Sequence, residues 1–183
     1  MSEPFDIVIG CGASSFPVLA VATTAESIRD RAIAVIATLV PRSVAGSVGN
    51  LFRPYLNEGA GDFPKWCAAN PAGAFRRFQV RTTSDTPPEV SNTDFEERKV
   101  AMTITIAYPQ SSRTGAQDAL DRDDVIDQDF KLLDFAVGIY GRSNFSPPNP
   151  DAMPLGATKS IVHGDAVDFL VVDEVFTYQR STS

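Results

Sequence analysis

The chain has 183 residues, of which 43% are hydrophobic and 21% charged, so one domain of this length buries enough surface to fold without disulfide or metal staples. No apolar run approaches the roughly 18 residues that a membrane helix needs, and the net charge of −7 argues against broad binding to nucleic-acid phosphates. We therefore expect a single domain over residues 1–183, with no membrane partner and no sequence-specific binding of DNA.

The N-terminal stretch "DIVIGCGASS" resembles the start of a dinucleotide-binding motif but lacks its essential parts. Gly10 and Gly12 are present, whereas Ser15 stands where the third glycine belongs. Pro17 then interrupts the helix whose N-terminus would hold the phosphates. We predict an N-terminal arm over residues 1–22 and no cofactor.

The first convincing element is a helix from Thr24 to Val40, "TAESIRDRAIAVIATLV". Thr23 and Glu26 have the spacing of a capping box, and Pro41 is expected to end the helix. Apolar residues recur on one face of this helix, namely Ile28, Ala32, Val35, Ile36 and Leu39.

Residues 42–74 are rich in Gly, Pro and Asn with scattered aromatic residues and no regular period, which predicts a long loop. Two alternatives remain open for its aromatic side chains: packing on their own domain, or contact with a neighbouring subunit. Interface cores favour aromatic residues and Arg. On the second alternative the interface residues are Phe52, Arg53, Tyr55, Phe63, Trp66, Arg76 and Arg77.

Two strands are expected next along the chain. "AFRRFQVRT" reads as a short strand at a partly exposed edge, and "SDTPPEVSNTD" as a turn-rich loop. "RKVAMTITIAYP" alternates between large apolar and small residues, so one of its faces belongs to the core. Its other face meets water, a thin cover or another chain.

A second helix is predicted from Ala116 or Asp121 to Tyr140, with Gly141 as its C-terminal cap, followed by a Pro-rich loop. Two further strands surround the turn His163-Gly164-Asp165. The predicted order is helix, strand, strand, helix, strand, strand. This order predicts an α+β fold, a mainly antiparallel four-stranded sheet with both helices on one face.

The densest charged stretch is "DALDRDDVIDQDFKLLD", which contains Asp118, Asp121, Asp123, Asp124, Asp127, Asp129 and Asp134. It lacks the glycine turn and the final Glu of a calcium loop, so we predict no metal site. Carboxylates near a helix N-terminus favourably meet the helix dipole, and a solvated acidic face is the expected outcome. His163 is the only histidine, in a predicted turn, and no known nucleophile motif occurs, so we predict no catalytic residues.

The order "KVAMTITIAYP", "DRDDVIDQDFKLLDFAVG" and a closing "FLVVDEVFTYQR" resembles the tail terminator proteins of long-tailed bacteriophages. In that family a strand ending in Tyr-Pro precedes a helix that begins with Arg and Asp residues, and the last strand ends in a Tyr-x-Arg-like tail. The likeness covers about Ala74 to Arg180. The helix from Thr24 to Val40 corresponds to the family's first helix.

The resemblance implies a structural virion protein and not an enzyme. Such a protein forms a ring, in this family a hexamer, that caps the tail tube, stops its polymerisation and provides the surface that joins tail to head. Its partners would be copies of itself, the tail tube protein and a neck or connector protein, in the host cytoplasm during assembly and at the head-proximal end of the tail in the virion. DNA would pass through without specific binding, along a channel that we expect to be lined by Asp121, Asp123, Asp124, Asp127 and Asp134.

Three alternatives stay open at this point. The first is a neck or head-completion protein of the same kind of virus. The second is a small enzyme that uses the Gly10-Gly12 loop for a nucleotide or the Asp121–Asp134 cluster for acid and base chemistry. The third is a small ligand-binding α+β domain.

Overall fold

A computed structural model of the chain describes residues 25–44, 51–56, 62–86, 95–110, 116–144 and 157–181. These residues form four helices and one mixed five-stranded sheet, which confirms the predicted α+β class. The elements in chain order are α1 (Ala25–Thr38), β1 (Arg53–Pro54), α2 (Phe63–Ala69), α3 (Pro71–Ala74), β2 (Arg77–Thr86), β3 (Phe95–Pro109), α4 (Ala116–Asn144), β4 (Thr158–Val162) and β5 (Val167–Ser181).

The sheet has the strand order β1-β2-β3-β5-β4. The two-residue strand β1 pairs in parallel with β2, and every other neighbour is antiparallel. The prediction of four strands and two helices is therefore too simple, because the segment expected to be a loop over residues 42–74 supplies β1, α2 and α3. Helices of seven and four residues, such as α2 and α3, carry too short a pattern for periodicity to reveal them.

The first face of the sheet carries the main core, under α1 and α4. Alternate residues of β3 point into it, as the pattern of that strand predicts: Val100, Met102, Ile104, Ile106 and Tyr108 are all buried. The neighbouring strands keep the same register, since Ile104 lies opposite both Val80 and Val172. The helices contribute Val35, Ile36, Ile126 and Leu133, and Leu39 joins them directly after α1.

The second face is covered at one end only. There α2 and α3 pack a smaller cluster on Ala107 and Phe169, which lie opposite each other on β3 and β5. Further along β3, Thr103 and Thr105 are only half-buried. The Thr103 hydroxyl donates to Asp173 Oδ1 over 2.5 Å. The sequence left water, a thin cover or another chain as possibilities for this face. At the end near Ala107 the structure shows a thin cover, formed by α2 and α3.

The C-terminal end predicted from the sequence agrees with the structure for one helix and disagrees for the other. α1 ends at Thr38, three residues before Pro41, as predicted within two residues. The prediction that Gly141 ends the second helix is wrong, because α4 continues through it to Asn144. Glycine lowers helix stability by about 1 kcal/mol but does not forbid the helical conformation. Thr23, Gly10 and Gly12 lie outside the described residues.

The predicted pair of strands around His163-Gly164-Asp165 is confirmed as the antiparallel pair β4 and β5. Gly164 is required in this turn, because a Cβ atom there would lie 2.6 Å from the carbonyl oxygen of Val167. Among the described residues, no helix combines the length and the apolar character that crossing a membrane demands.

Candidate functional site

The most unusual buried group of the domain is Arg76, which precedes β2 and is fully buried. Its Nε donates to Asp129 Oδ2 over 2.7 Å and its Nη2 to Asp129 Oδ1 over 2.9 Å, a two-pronged pairing with α4. Its Nη1 donates to the carbonyl oxygen of Arg42 over 2.9 Å. The guanidinium therefore joins α4 to the segment that follows α1.

Aromatic groups surround this ion pair. The Arg76 guanidinium carbon lies 4.9 Å from the ring centre of Phe75 and 5.8 Å from that of Phe52. The Tyr108 hydroxyl, from β3, donates to Asp129 Oδ2 over 2.9 Å. Burial raises the pKa of Tyr108 well above its ordinary value, and the charge of Asp129 adds to the effect. Burial also raises the pKa of Asp129, while Arg76 and Tyr108 act in the opposite direction.

The backbone of Arg76 is also engaged on both sides. Its N–H donates to the carbonyl oxygen of Ala107 over 2.9 Å, and its own carbonyl accepts from the N–H of Arg53 over 3.1 Å. Its φ of 54° lies in the left-handed region, which costs a non-glycine residue roughly 1 to 2 kcal/mol. The pairings that converge on this residue hold it there, so Arg76 ties together β1, β2, β3, α4 and the chain after α1.

A second buried carboxylate, Asp168 of β5, lies directly opposite Tyr108 in the sheet. Its Oδ1 accepts from Gln110 Nε2 over 3.2 Å and lies 3.3 Å from His163 Nδ1. Its Oδ2 lies 2.8 Å from Arg122 Nε of α4, an ion pair without the angle of a hydrogen bond. Gln110 also donates to the carbonyl oxygen of Gly164 over 2.7 Å. Asp168 thus connects the β4–β5 turn to α4 and the end of β3.

Together these two networks form a polar centre at one end of the main core, defined by Arg76, Asp129, Tyr108, Asp168 and Arg122. Each carboxylate in it faces a guanidinium, which holds the carboxylate in place between secondary-structure elements. The His163 side chain is 67% exposed and lies beside Asp168. A carboxylate next to a histidine orients its imidazole ring, but this pair by itself supplies no nucleophile. Among the described residues, no group of three or more potential metal ligands comes together.

The acidic residues predicted to line a channel are placed on α4. Asp123, Asp124, Asp127 and Asp134 have exposed side chains, and the side chain of Asp121 lies outside the described ones. Asp124 Oδ2 lies 3.6 Å from Arg42 Nη1 and accepts from Gln128 Nε2 over 2.7 Å. Asp127 pairs with Lys159 of β4, which lowers the pKa of that carboxyl.

Asp129 is the residue that sequence reasoning missed. It was expected to belong to the solvated acidic face, yet its side chain is buried against Arg76. The signal was present in the spacing, because Asp129 comes three residues after Ile126 and four before Leu133, on the apolar stripe of α4. A carboxylate on that stripe requires a buried cation, which the pattern of one helix does not identify.

The structure separates the residues predicted for an interface into two groups. Phe52, Tyr55, Phe63 and Arg76 are buried within their own chain. Tyr55 contacts Phe63 and Trp66, with ring centres 5.1 Å and 5.2 Å apart. For these four residues the structure follows the other alternative, packing on their own domain.

Arg53, Trp66 and Arg77 retain access to solvent. The Arg77 guanidinium carbon lies 5.4 Å from the ring centre of Trp66, and its Nη1 donates to the carbonyl oxygen of Pro54 over 3.3 Å. Contact of these three residues with another subunit stays a prediction. Beneath them Cys67 is a free, buried thiol whose pKa burial raises to about 12.

Glu174 of β5 is a further buried carboxyl that sequence reasoning did not identify. It is 2% exposed and lies opposite Met102 on β3. In the described part of the chain neither of its carboxylate oxygens has a hydrogen-bond partner. Burial raises its pKa to about 7, and the negative charge of Asp134 contributes in the same direction.

No protein-family model matches the chain, and no curated protein matches it at the significance required. Function is therefore inferred from the geometry of the chain and from the resemblance described above.

Proposed function

We propose that the chain is a phage tail terminator, a structural protein that assembles into a ring, caps the tail tube and joins it to the head. The observation that carries the proposal is the packing of the three segments that bear the resemblance. Tyr108, at the Tyr-Pro end of β3, donates to Asp129 of the acidic helix α4 and lies opposite Asp168 of the closing strand β5. The segments thus form one packed unit, as a shared subunit fold requires.

We infer that the ring-forming part of the subunit consists of α1, α4 and the four antiparallel strands β2 to β5. In this interpretation β1, α2 and α3 are an addition on the second face of the sheet. The addition is fastened to the rest through the backbone of Arg76, which bonds to Ala107 and Arg53. In the described part of the chain the buried ion pairs Arg76–Asp129 and Arg122–Asp168 join the subunit's own elements, which suits a role based on shape.

The charge of the chain supports passage of DNA without binding. The net charge is −7, and the four described carboxylates Asp123, Asp124, Asp127 and Asp134 are exposed on α4. A channel wall of the same sign as the phosphate backbone repels it, so DNA slides without adhering. That these carboxylates line a channel stays a prediction. A ring reconstruction that puts all of them on the outer rim would refute it.

The first experiment is the solution mass of the purified full chain by light scattering, with negative-stain micrographs of the same sample. We expect a closed ring with a central opening at micromolar concentration. The double variant D123K/D134K, measured in the same way, tests whether assembly depends on the charge of these two exposed side chains. A protein that stays monomeric or dimeric up to high concentration would refute the ring.

The second experiment tests capping directly. The chain is added to a phage tail tube protein while the tubes polymerise, and the lengths and ends of the tubes are measured by electron microscopy. A terminator shortens the tubes and decorates one end. A neck protein leaves the length of bare tubes unchanged and binds only tubes that already carry a terminator, so this assay separates the two alternatives.

A further inference from the structure

The strand order places β4 at one edge of the sheet and β1 at the other. Four spacings of about 4.8 Å separate these edges, so they lie on opposite sides of the subunit, about 19 Å apart. Beyond the two residues of β1, the outer side of β2 is itself the edge. The side chains at the two edges differ in charge.

An acidic flank, defined by Asp123, Asp127 and Asp134, runs along the side of α4 next to β4. The ion pair between Asp127 and Lys159 of β4 establishes this side. Asp123 comes four residues before Asp127 and Asp134 seven after it, which places all three on the same stripe of the helix. Asp123 and Asp134 are exposed, and within the described residues neither forms an ion pair.

A basic edge, defined by Arg53, Arg77 and Arg81, lies on the other side. Arg53 pairs in register with Arg77, and Arg81 follows four residues later in β2, so the three side chains share the second face of the sheet. Arg53 and Arg81 are exposed, and neither has an ion pair in the part of the chain that the structure describes.

Each edge also exposes apolar side chains. Val162 of β4 is 53% exposed, and Leu51 and Leu56, on either side of β1, are 49% and 71% exposed. Protein interfaces combine an apolar centre with a charged rim, and complementary charges fix the orientation of the partners. Both edges have this composition, with opposite signs of charge.

We propose that a second copy of this chain docks head to tail, with the acidic flank of one subunit against the basic edge of the next. Because the two surfaces lie on opposite sides of the subunit, one two-fold interface cannot use both. The contact is therefore heterologous and repeats from subunit to subunit until the ring closes. This inference rests on the proposed function, because it names the surfaces from which that ring is built. For Asp123 and Asp134 this placement between subunits excludes the channel-lining position predicted above, and a ring reconstruction distinguishes the two.

The test uses two double charge reversals in the full chain. D123K/D134K makes the acidic flank basic, and R53E/R81E makes the basic edge acidic. Each variant then presents surfaces of one sign at both edges, and we expect its subunit dissociation constant to rise at least tenfold in light scattering at low salt. K99E/D165K is the control, because it reverses one charge of each sign at exposed sites outside both surfaces and leaves the net charge unchanged.

Mixing gives the decisive result. D123K/D134K and R53E/R81E are complementary to each other, so an equimolar mixture is expected to recover assemblies in which the two variants alternate. In mass spectrometry of the intact assemblies we then expect equal numbers of the two variants. Circular dichroism of each variant alone confirms that it is folded.

Three outcomes would overturn the inference: wild-type protein that never assembles, assemblies that survive both reversals, or separate losses that mixing does not restore. Rings that survive both reversals and still cap tails would leave the proposed function standing while removing this interface. If both charge reversals break the rings but wild-type rings do not shorten tail tubes, this interface would stand and the proposed function would be refuted.

Discussion

Replacing Glu174 by Gln is expected to change how the stability of the protein depends on pH. The Glu174 side chain is 2% exposed in β5, and in the described part of the chain its carboxylate oxygens lack hydrogen-bond partners. Asp134 of α4 adds a negative charge nearby. Gln has nearly the same shape and never ionises, so the variant removes the ionisation and keeps the packing.

The magnitude follows from the pKa of Glu174, which rises from 4.5 to about 7 on folding. At 1.36 kcal/mol per pH unit this difference corresponds to about 3 kcal/mol. The folded state binds the proton more tightly than the unfolded state does. The favourable contribution is therefore fully present below pH 4.5 and is lost as the pH rises through about 7.

The assay is urea unfolding of wild type and Glu174→Gln at half-unit steps from pH 4.5 to 9. We expect the free energy of unfolding of the variant, relative to wild type, to grow by about 2 to 3 kcal/mol between the ends of this range, with most of the change between pH 4.5 and about 7 and a plateau above. Asp165→Asn, which removes an exposed carboxyl, serves as the control and should follow wild type throughout. If the curves of wild type and Glu174→Gln run parallel, Glu174 ionises freely in the folded protein and the burial argument is wrong.

Three further predictions concern the polar centre and the second face. Arg76→Met is expected to destabilise the fold by about 3 to 5 kcal/mol in urea unfolding at pH 7, because it leaves Asp129 buried without its cation, whereas the exposed Arg81→Met should stay within about 0.5 kcal/mol of wild type. If Arg76→Met loses no more stability than Arg81→Met, the ion pair between Arg76 and Asp129 does not stabilise the fold. Tyr108→Phe removes only the hydrogen bond to Asp129 and should cost about 1.5 to 3 kcal/mol, as expected for a bond to a charged group; an unchanged denaturation midpoint would contradict the bond. Cys67, with its pKa raised to about 12 and its thiol buried, should resist alkylation at pH 8 in the native protein and react fully in urea, followed by peptide mass spectrometry; rapid native labelling would mean that the α2 region opens.

The long elements of this protein follow from local patterns in its sequence. The alternation in "VAMTITIAY" specifies which face of β3 is buried, because successive side chains of a strand point to opposite faces. The apolar stripes of α1 and α4 likewise specify their buried sides, since residues three and four apart share a helix face. From these patterns the α+β class and the hairpin of β4 and β5 could be predicted.

The short elements and the buried charges were decided only by the tertiary structure. α2 and α3 are too brief to show a period, and they form where Phe63 and Cys67 can pack on the second face of the sheet. Asp129 belongs to an acidic run that is typical of a solvated surface, yet it is buried, because Arg76 lies 53 residues away in sequence and beside it in space. A local pattern reports what one element prefers on its own. The free energy of a buried charge depends on a partner that only folding brings near.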